Sequence, residues 1–523
     1  MRLELFSFSG QDKSTNFARE FLNAISLNPI KKLAGQTVIY GLSSIIPKFL
    51  TYFMVPLYTY LFKPAEYGVV GDLYGLVVML NIMLTYGMET AYFWFSKSND
   101  NADKVYSTSL LSLIGSSLLF ILATIVYAQP VANYLEYPAH PEYIWWFGVI
   151  IGVDAICAIP FVKLRRENKA MKFATVKLFS VGLNVLLTVL FLIVFPAIDK
   201  HIVHLPSVIY SPDMGVGYIF IANILSSIAT MLLLLKDFSI KTGFDFALWK
   251  KMLVYALPLL IAGLAGGVND AIDRQFLKFM LPEGVNAMEQ LGIYFANLKI
   301  AVILVVFIQT FRFAAEPFFF TYEKEKDSRQ IFADIMKYFL LLCLVILVGT
   351  LANLNIIRYF IGSDYWSGLG IVPIVLFANL FVGIYVNLSI WYKLSGKTMY
   401  GAYIIVLGSL ITIIINYIFV TRYGYYASAY ARLACYIVMT IICFVLGQKY
   451  YPIPYNLRSM AGYFLLTFIV LIPMYLVKEL STPVQLVINN AALILLLYFI
   501  VKKEKLWPVM LKMVENVRHR KDA

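Results

Sequence analysis

The chain has 523 residues, of which 60% are hydrophobic and only 14% are charged, and its mean hydropathy is +0.76. This composition excludes a soluble globule with an ordinary polar surface, so we expect a membrane protein. The net charge is +13. In a membrane protein such an excess of Lys and Arg can report the topology of the loops, so it does not by itself indicate a nucleic-acid partner.

Fourteen apolar runs follow one another along the chain, each near or above the length of about 20 residues that a helix needs to cross a bilayer. They are 36–62, 68–96, 105–128, 143–162, 173–196, 214–235, 252–281, 290–319, 330–352, 368–392, 399–420, 425–447, 459–477 and 483–501. The runs are too long and too uniformly apolar for the strands of an outer-membrane barrel. The predicted fold class is an all-α polytopic bundle of fourteen transmembrane helices.

The Lys and Arg residues between the runs lie mostly on one side of the membrane. Thirty lie in the termini and loops on the side of the N-terminus, and five lie on the opposite side. The positive-inside rule therefore predicts that both termini lie in the cytoplasm. No cleavable signal peptide is expected in the first 30 residues. Because the positive charge is a topology signal, no nucleic-acid partner is expected.

A weak internal repeat divides the chain into two halves. "EYGVVGDLYGLVVMLNIMLTYGMETAYFWF" (66–95) and "QLGIYFANLKIAVILVVFIQTFRFAAEPFFF" (290–320) each begin near a Gly and end with a Glu followed by aromatic residues. Each is the second span of a six-span group, which predicts two lobes in parallel orientation with a substrate site between them. The predicted segments are a cytoplasmic N-terminal segment 1–35, an N-lobe 36–236, a C-lobe 237–455, two appended helices in 456–505 and a basic cytoplasmic tail 506–523.

Eight Lys or Arg residues lie within the predicted spans. Lys177 and Lys337 are close enough to a cytoplasmic end to snorkel to the interface. Five others lie deep, and if they faced lipid they would cost together about 12 to 17 kcal/mol. We therefore expect the deep cations to face the interior of the bundle and to bind substrate, with Lys278, near the outer end, as a further candidate. The deep cations are Lys48, Arg274, Lys299, Arg312 and Arg432.

Carboxylates within or next to the spans are candidates for charge pairing or for coupling to a proton or sodium gradient. They are Asp72, Glu89, Asp154, Asp270, Asp273 and Glu316. Asp154 stands alone in the middle of its span and has two interpretations, ion coupling or a structural pair with a buried cation such as Lys48.

The stretch "GGVNDAIDRQFLKFM" (266–280) places two carboxylates and two cations, Asp270, Asp273, Arg274 and Lys278, on one helix face. Two interpretations stay open. The charges either neutralise one another through an Asp270 to Arg274 pair, or they form a polar stripe that lines an aqueous cavity.

A cavity rich in cations suits an anionic substrate, and Arg in particular matches the geometry of phosphate. No cofactor or metal site is expected, because His201 and His204 lack a third ligand. The four Cys residues are expected to be packing residues. Most of the 37 Tyr and 39 Phe residues are expected to pack or to lie at the membrane interface.

The chain resembles the polysaccharide flippases of the multidrug/oligosaccharidyl-lipid/polysaccharide (MOP) superfamily. The resemblance rests on the twelve-plus-two spans, on "LYTYLFKPAEYGVVGDLYGL", and on "DRQFLKFMLPEG" followed by "LGIYFANLKIA". It implies a V-shaped bundle whose first, second, seventh and eighth spans line a central cavity, with the family's cationic lumen at Lys48, Arg274, Lys299 and Arg312. It also implies an O-antigen or capsular-polysaccharide exporter related to the lipid II flippase.

The favoured hypothesis is a flippase, not an enzyme, that moves a polyprenyl-pyrophosphate-linked oligosaccharide across the inner membrane by alternating access. Its expected partners are the lipid-linked oligosaccharide, membrane lipids and the glycan polymerase or ligase machinery. One alternative is an ion-coupled exporter of cationic drugs, which needs a cavity dominated by Asp72, Glu89 and Asp154. A glycan polymerase or ligase is disfavoured, because the longest outer loop has only about 17 residues (197–213) and no loop is large enough for a catalytic domain.

Overall fold

The computed structural model describes residues 28–96, 102–323, 325 and 327–505, and within them the chain is helical and contains no β-strand. The principal helices are α1 (Asn28–Leu61), α2 (Pro64–Thr85), α3 (Met88–Phe95), α4 (Ala102–Val126), α5 (Ala128–Tyr134), α6 (Pro141–Arg166), α7 (Ala170–Val189), α8 (Gly217–Leu234), α9 (Phe246–Phe279), α10 (Ala287–Ile300), α11 (Val302–Tyr322), α12 (Ser328–Ala352), α13 (Val372–Leu388), α14 (Met399–Tyr423), α15 (Tyr425–Tyr450), α16 (Leu457–Leu476) and α17 (Thr482–Lys503).

Thirteen helical stretches of the described chain are long and apolar enough to cross a membrane, and they correspond to the second to fourteenth predicted spans. The first predicted span, 36–62, falls on α1, which is helical from Asn28 to Leu61 but is not among the thirteen. The prediction of an all-α membrane bundle is confirmed, while the count of fourteen spans stays a prediction. The boundaries of the two lobes also stay predictions. Most of the predicted segment 1–35 and the whole tail 506–523 lie outside the described residues.

Local capping fixes where the helices around the site begin. Lys63 precedes α2, with Pro64 at the first helical position, and its backbone N–H donates to the Glu66 carboxylate at 2.8 Å. At the start of α9, Asp245 accepts a hydrogen bond from the backbone N–H of Leu248 at 2.9 Å. The side chain of Asn286 caps α10 in the same way. These caps satisfy backbone donors that the first turn of a helix leaves without partners.

The second span of each half is interrupted, although at different places. In the N-terminal half, α2 and α3 are separated at Tyr86 and Gly87, which have positive φ angles of 33° and 72°. In the C-terminal half, α10 and α11 are separated at Ala301. The two interrupted spans are the segments that form the internal repeat in the sequence, but the interruption begins 18 residues after Gly68 in the first and nine residues after Gly292 in the second.

Several helices of the two halves pack against one another. Between the halves, α10 packs against α2, α9 packs against α2 and α3, and α1 packs against α11. Within the halves, α1 packs against α7 and α9 packs against α14. We call the end of the bundle that contains residues 62–63, 135–140, 280–286 and 358–371 the distal end. The charge pattern of the sequence predicts that this end faces outside the cell.

A chamber between the two halves

Two glycines bring the halves into backbone contact near the distal end. A Cβ atom added to Gly68 of α2 would lie 2.1 Å from the carbonyl oxygen of Met288, and one added to Gly292 of α10 would lie 1.8 Å from that of Pro64. Met288 and Pro64 each stand four residues before the glycine of their own helix, so the contact has approximate two-fold symmetry. No residue with a side chain fits this crossing at either position.

A buried ion pair lies beside the glycine crossing. Lys278 Nζ of α9 is 2.6 Å from Asp72 Oδ2 of α2, and both side chains are 0% exposed. Asp72 also accepts hydrogen bonds from the Tyr137 hydroxyl at 2.6 Å and from Gln275 Nε2 at 2.5 Å. The carboxylate therefore has a partner at each oxygen, which is the condition under which a buried charge is tolerated.

The polypeptide between α12 and α13 completes the closure of this end. The backbone N–H of Gly362 donates to Thr59 Oγ1 at 3.1 Å, and the Tyr365 hydroxyl donates to the carbonyl oxygen of Phe62 at 2.8 Å. We call the glycine crossing, the ion pair and these loop contacts together the distal seal. In this structure the distal seal joins the two halves.

A chamber of about 450 Å³ lies between the halves next to the distal seal. This volume is in the range of sites that hold small molecules. From the N-terminal half the chamber is lined by Thr51, Val55, Tyr58, Tyr67, Val70, Tyr74, Val77, Val78, Ser180, Val181, Asn184, Ile219, Asn223 and Ser226. The C-terminal half contributes Arg274, Phe295 and Lys299. The only charged side chains in this lining, which falls wholly within the described residues, are therefore the two cations.

The two chamber cations share one aromatic ring. The Arg274 guanidinium carbon is 4.8 Å and the Lys299 ammonium nitrogen is 4.3 Å from the centre of the Phe295 ring. Arg274 also donates one hydrogen bond to the carbonyl oxygen of Gly71 at 3.0 Å, and its buried Nε has no partner. Neither cation forms an ion pair with a carboxylate of the described chain. The two cations at this ring therefore leave positive charge in the chamber that no carboxylate of the described chain balances.

A second group of charges lies farther from the distal end, on four helices from both halves. Lys48 Nζ of α1 donates to Gln309 Oε1 of α11 at 2.6 Å. Lys48 also lies within electrostatic range of Arg312 on α11 and of Asp270 on α9. Asp270 is 3.4 Å from Arg432 of α15. These charges converge where the halves face one another, although they do not line the chamber.

The remaining predicted carboxylates have local partners. Asp273 accepts a hydrogen bond from the Tyr294 hydroxyl at 2.5 Å, and Glu316 forms an ion pair with Lys393. Glu89 is 3.3 Å from an Arg165 nitrogen. Within the described chain, no group of three His, Cys, Asp or Glu residues could hold a metal ion.

Asp154 lies behind the chamber wall of the N-terminal half. Its Oδ1 accepts a hydrogen bond from the Ser227 hydroxyl at 2.9 Å, next to the lining residue Ser226. Lys177 lies within electrostatic range of Asp154 and also of Glu89. Asp154 is thus close to a cation without a direct ion pair to it in the described chain.

The structure separates the predicted cations into three settings. Arg274 and Lys299 are brought together in the chamber, while Lys48, Arg312 and Arg432 lie in the second group. Lys278 is outside both and is part of the distal seal. The stretch 266–280 therefore contains neither a simple Asp270 to Arg274 pair nor one continuous stripe, because its charges find partners on different helices.

The polar wall of the N-terminal half was missed by the sequence reasoning. Tyr67 and Tyr74 are seven residues apart on α2, and Ser180 and Asn184 are four apart on α7. Polar side chains at one-turn or two-turn spacing inside apolar spans share a helix face. This spacing is the signal that could have identified the wall.

Residues 59–198 match a family model described as a polysaccharide biosynthesis protein. No curated protein matches the sequence. The fold is similar to a solved structure titled "Lipid II flippase MurJ, inward closed conformation", with a TM-score of 0.67 and 16% sequence identity over 89% of this chain and 99% of that chain.

The fold is also similar to solved multidrug resistance MATE family transporters of the MOP superfamily. An inward-facing one has a TM-score of 0.59 and 14% identity over 82% of this chain and 96% of that chain. An outward-facing one has a TM-score of 0.55 and 13% identity over 83% of this chain and 96% of that chain. The predicted resemblance to the MOP superfamily is confirmed by these matches, and at these identities the likeness to solved structures concerns the fold.

Proposed function

We propose that the protein is a flippase that carries a polyprenyl-pyrophosphate-linked oligosaccharide across the bacterial inner membrane by alternating access. The observation that carries the proposal is the pair of chamber cations, Arg274 and Lys299, which have no carboxylate partner in the described chain. A pyrophosphate placed between them would supply the missing negative charge. The polyprenyl tail would stay in the lipid. The family-model match and the MurJ-like fold support this substrate class.

Alternating access requires that one end of the site closes while the other opens. The distal seal closes the end that the charge pattern assigns to the outside, so the described state corresponds to one from which cargo cannot leave outward. Release to the outer leaflet would need the glycine crossing and the Asp72 to Lys278 pair to separate. The second charge group around Lys48 and Arg312 would meet the pyrophosphate on its way from the cytoplasmic side.

The test is transport of undecaprenyl-pyrophosphoryl-N-acetylglucosamine in vesicles that contain the purified protein. Translocation is measured as exposure of the lipid to a membrane-impermeant pyrophosphatase. We expect Arg274→Gln and Lys299→Gln each to reduce the rate at least tenfold, because a charge-assisted contact to phosphate is lost. Lys200→Gln, at an exposed lysine away from the chamber, is the matched control. Wild-type rates in both chamber variants would refute the proposal.

The same proposal includes coupling to an ion gradient through Asp154. Asp154 is an intramembrane carboxylate behind the chamber wall, close to Lys177 but without a direct ion pair. Asp154→Asn keeps the size of the side chain and removes its charge. We expect this variant to lose the acceleration that an imposed proton or sodium gradient gives to the wild type, while it keeps the rate seen without a gradient. Imposing the two gradients separately identifies the ion, and an undiminished response of the variant would exclude Asp154.

A MATE-like exporter of cationic drugs is the alternative that the fold similarity leaves open. The chamber argues against it, because a cationic drug would face Arg274 and Lys299 with no carboxylate in the lining. Ethidium efflux from the same vesicles separates the two functions. Interaction with a glycan polymerase or ligase is a further expectation of the flippase hypothesis, since the translocated unit would be their substrate.

A further inference from the structure

The two walls of the chamber differ in chemistry. Both cations come from α9 and α10 of the C-terminal half, whereas the wall of the N-terminal half presents hydroxyl and amide groups and no charged side chain. Its polar members are Thr51, Tyr58, Tyr67, Tyr74, Ser180, Asn184, Asn223 and Ser226. A ligand that fills the chamber therefore meets cations on one side and uncharged hydrogen-bonding groups on the other.

Some of these polar groups have no partner. The Tyr67 ring is buried, and its hydroxyl lines the chamber without a hydrogen bond to the described part of the chain. Asn184, one turn after Ser180 on α7, is half-buried, and its amide likewise forms no hydrogen bond within the described part of the chain. Tyr74 accepts a hydrogen bond from Asn223 at 2.9 Å, which leaves its own proton free to be donated. Polar groups that line a chamber and have no protein partner are available to form hydrogen bonds with a polar ligand.

We propose that this wall is a subsite for the sugar next to the pyrophosphate, and that it favours an uncharged sugar. The proposal rests on the flippase function proposed above. With the pyrophosphate at Arg274 and Lys299, the adjoining sugar would lie against Tyr67, Asn184 and the Tyr74 to Asn223 pair. Its hydroxyl or acetamido groups would satisfy the free donors and acceptors of these side chains.

An acidic sugar would fit this wall poorly. The lining of the N-terminal half offers no cation to the carboxylate of an acidic sugar, and the two cations opposite would be engaged by the pyrophosphate. A charged group removed from water without a counter-charge is strongly disfavoured. A chamber of about 450 Å³ also limits recognition to the first part of the headgroup. Sugars farther along the oligosaccharide would then have little effect on the transport rate.

The experiment compares three lipids in the vesicle assay: undecaprenyl pyrophosphate without a sugar, its N-acetylglucosamine conjugate and its glucuronic acid conjugate. We expect the wild type to carry the N-acetylglucosamine lipid at least tenfold faster than the glucuronic acid lipid. Tyr67→Phe and Asn184→Leu should each slow the N-acetylglucosamine lipid roughly three- to tenfold, the effect of losing one neutral hydrogen bond. Neither should change transport of the sugar-free lipid.

Tyr417→Phe, at an exposed tyrosine of α14, is the matched control and should behave as the wild type. The subsite is overturned if both variants carry the N-acetylglucosamine lipid at the wild-type rate, or if they slow all three lipids equally. The charge preference is overturned if the wild type carries the two conjugates at equal rates. If the wild type carries none of the three lipids, the flippase function itself fails, and this outcome differs from the other three.

Discussion

The distal seal and the chamber use the same kinds of side chain in opposite ways. In the distal seal, Lys278 is buried against Asp72, and the carboxylate is saturated by two further donors. In the chamber, one helical turn away on the same helix, Arg274 and Lys299 both contact the Phe295 ring and have no carboxylate partner in the described chain. The first arrangement holds two parts of the protein together, and the second leaves charge for a ligand. Whether a membrane-embedded cation stays available to a ligand thus depends on its partner more than on its depth.

The largest expected effect is at the ion pair of the distal seal. Lys278→Ala would leave a buried carboxylate without its cation, which should lower the free energy of unfolding by about 3 to 5 kcal/mol. Thermal unfolding of the purified protein in detergent measures the loss. The control is Lys241→Ala, which removes an exposed pair with Asp103 at 3.0 Å and should cost less than about 1 kcal/mol. Equal shifts in the two variants would contradict the structural role given to Lys278.

A smaller effect is expected at the glycine crossing. Gly292→Ala places a Cβ atom 1.8 Å from the carbonyl oxygen of Pro64, so the helices must separate, at a cost of about 1 to 3 kcal/mol. We expect the distal seal to loosen, and a cysteine placed at Tyr58 in the chamber lining to react faster with a maleimide added at the distal side. Gly115→Ala is the control, because nothing lies within 4 Å of its added Cβ. An unchanged labelling rate in the Gly292 variant would mean that the crossing does not control access.

The smallest effect on stability is expected in the chamber. Lys299→Met removes a cation that has no anionic partner and repels Arg274, so the free energy of unfolding should stay within about 1 kcal/mol of the wild type. Binding should change instead. Inorganic pyrophosphate at 100 times its Kd should stabilise the wild type by about 2.7 kcal/mol and the variant much less. A loss of stability as large as that of Lys278→Ala would place Lys299 with the structural pairs.

The sequence was sufficient for the all-α membrane fold, while the substrate-binding residues stay predictions. The cost of exposing charge to lipid predicted that Arg274 and Lys299 face the interior, and the repeat identified the segments that contain Gly68 and Gly292. The partner of Lys278 was not predictable, because Asp72 lies 206 residues away and several carboxylates were equally available. The polar wall was missed because Tyr, Asn and Ser cost far less than charged residues in a membrane, so their presence in a span carries a weaker signal.

The continuity of α9 has a mechanical consequence. The helix runs without interruption from Phe246 to Phe279, and its internal proline, Pro258, precedes both Arg274 and Lys278. A bend at Pro258 would move the C-terminal part of α9, and both cations with it, as one rigid body. A displacement of Arg274 on cargo binding would therefore also displace Lys278, which lies only about 6 Å farther along the helix axis. Cargo binding at Arg274 and separation of the Asp72 to Lys278 pair would then be coupled directly through one rigid helix segment.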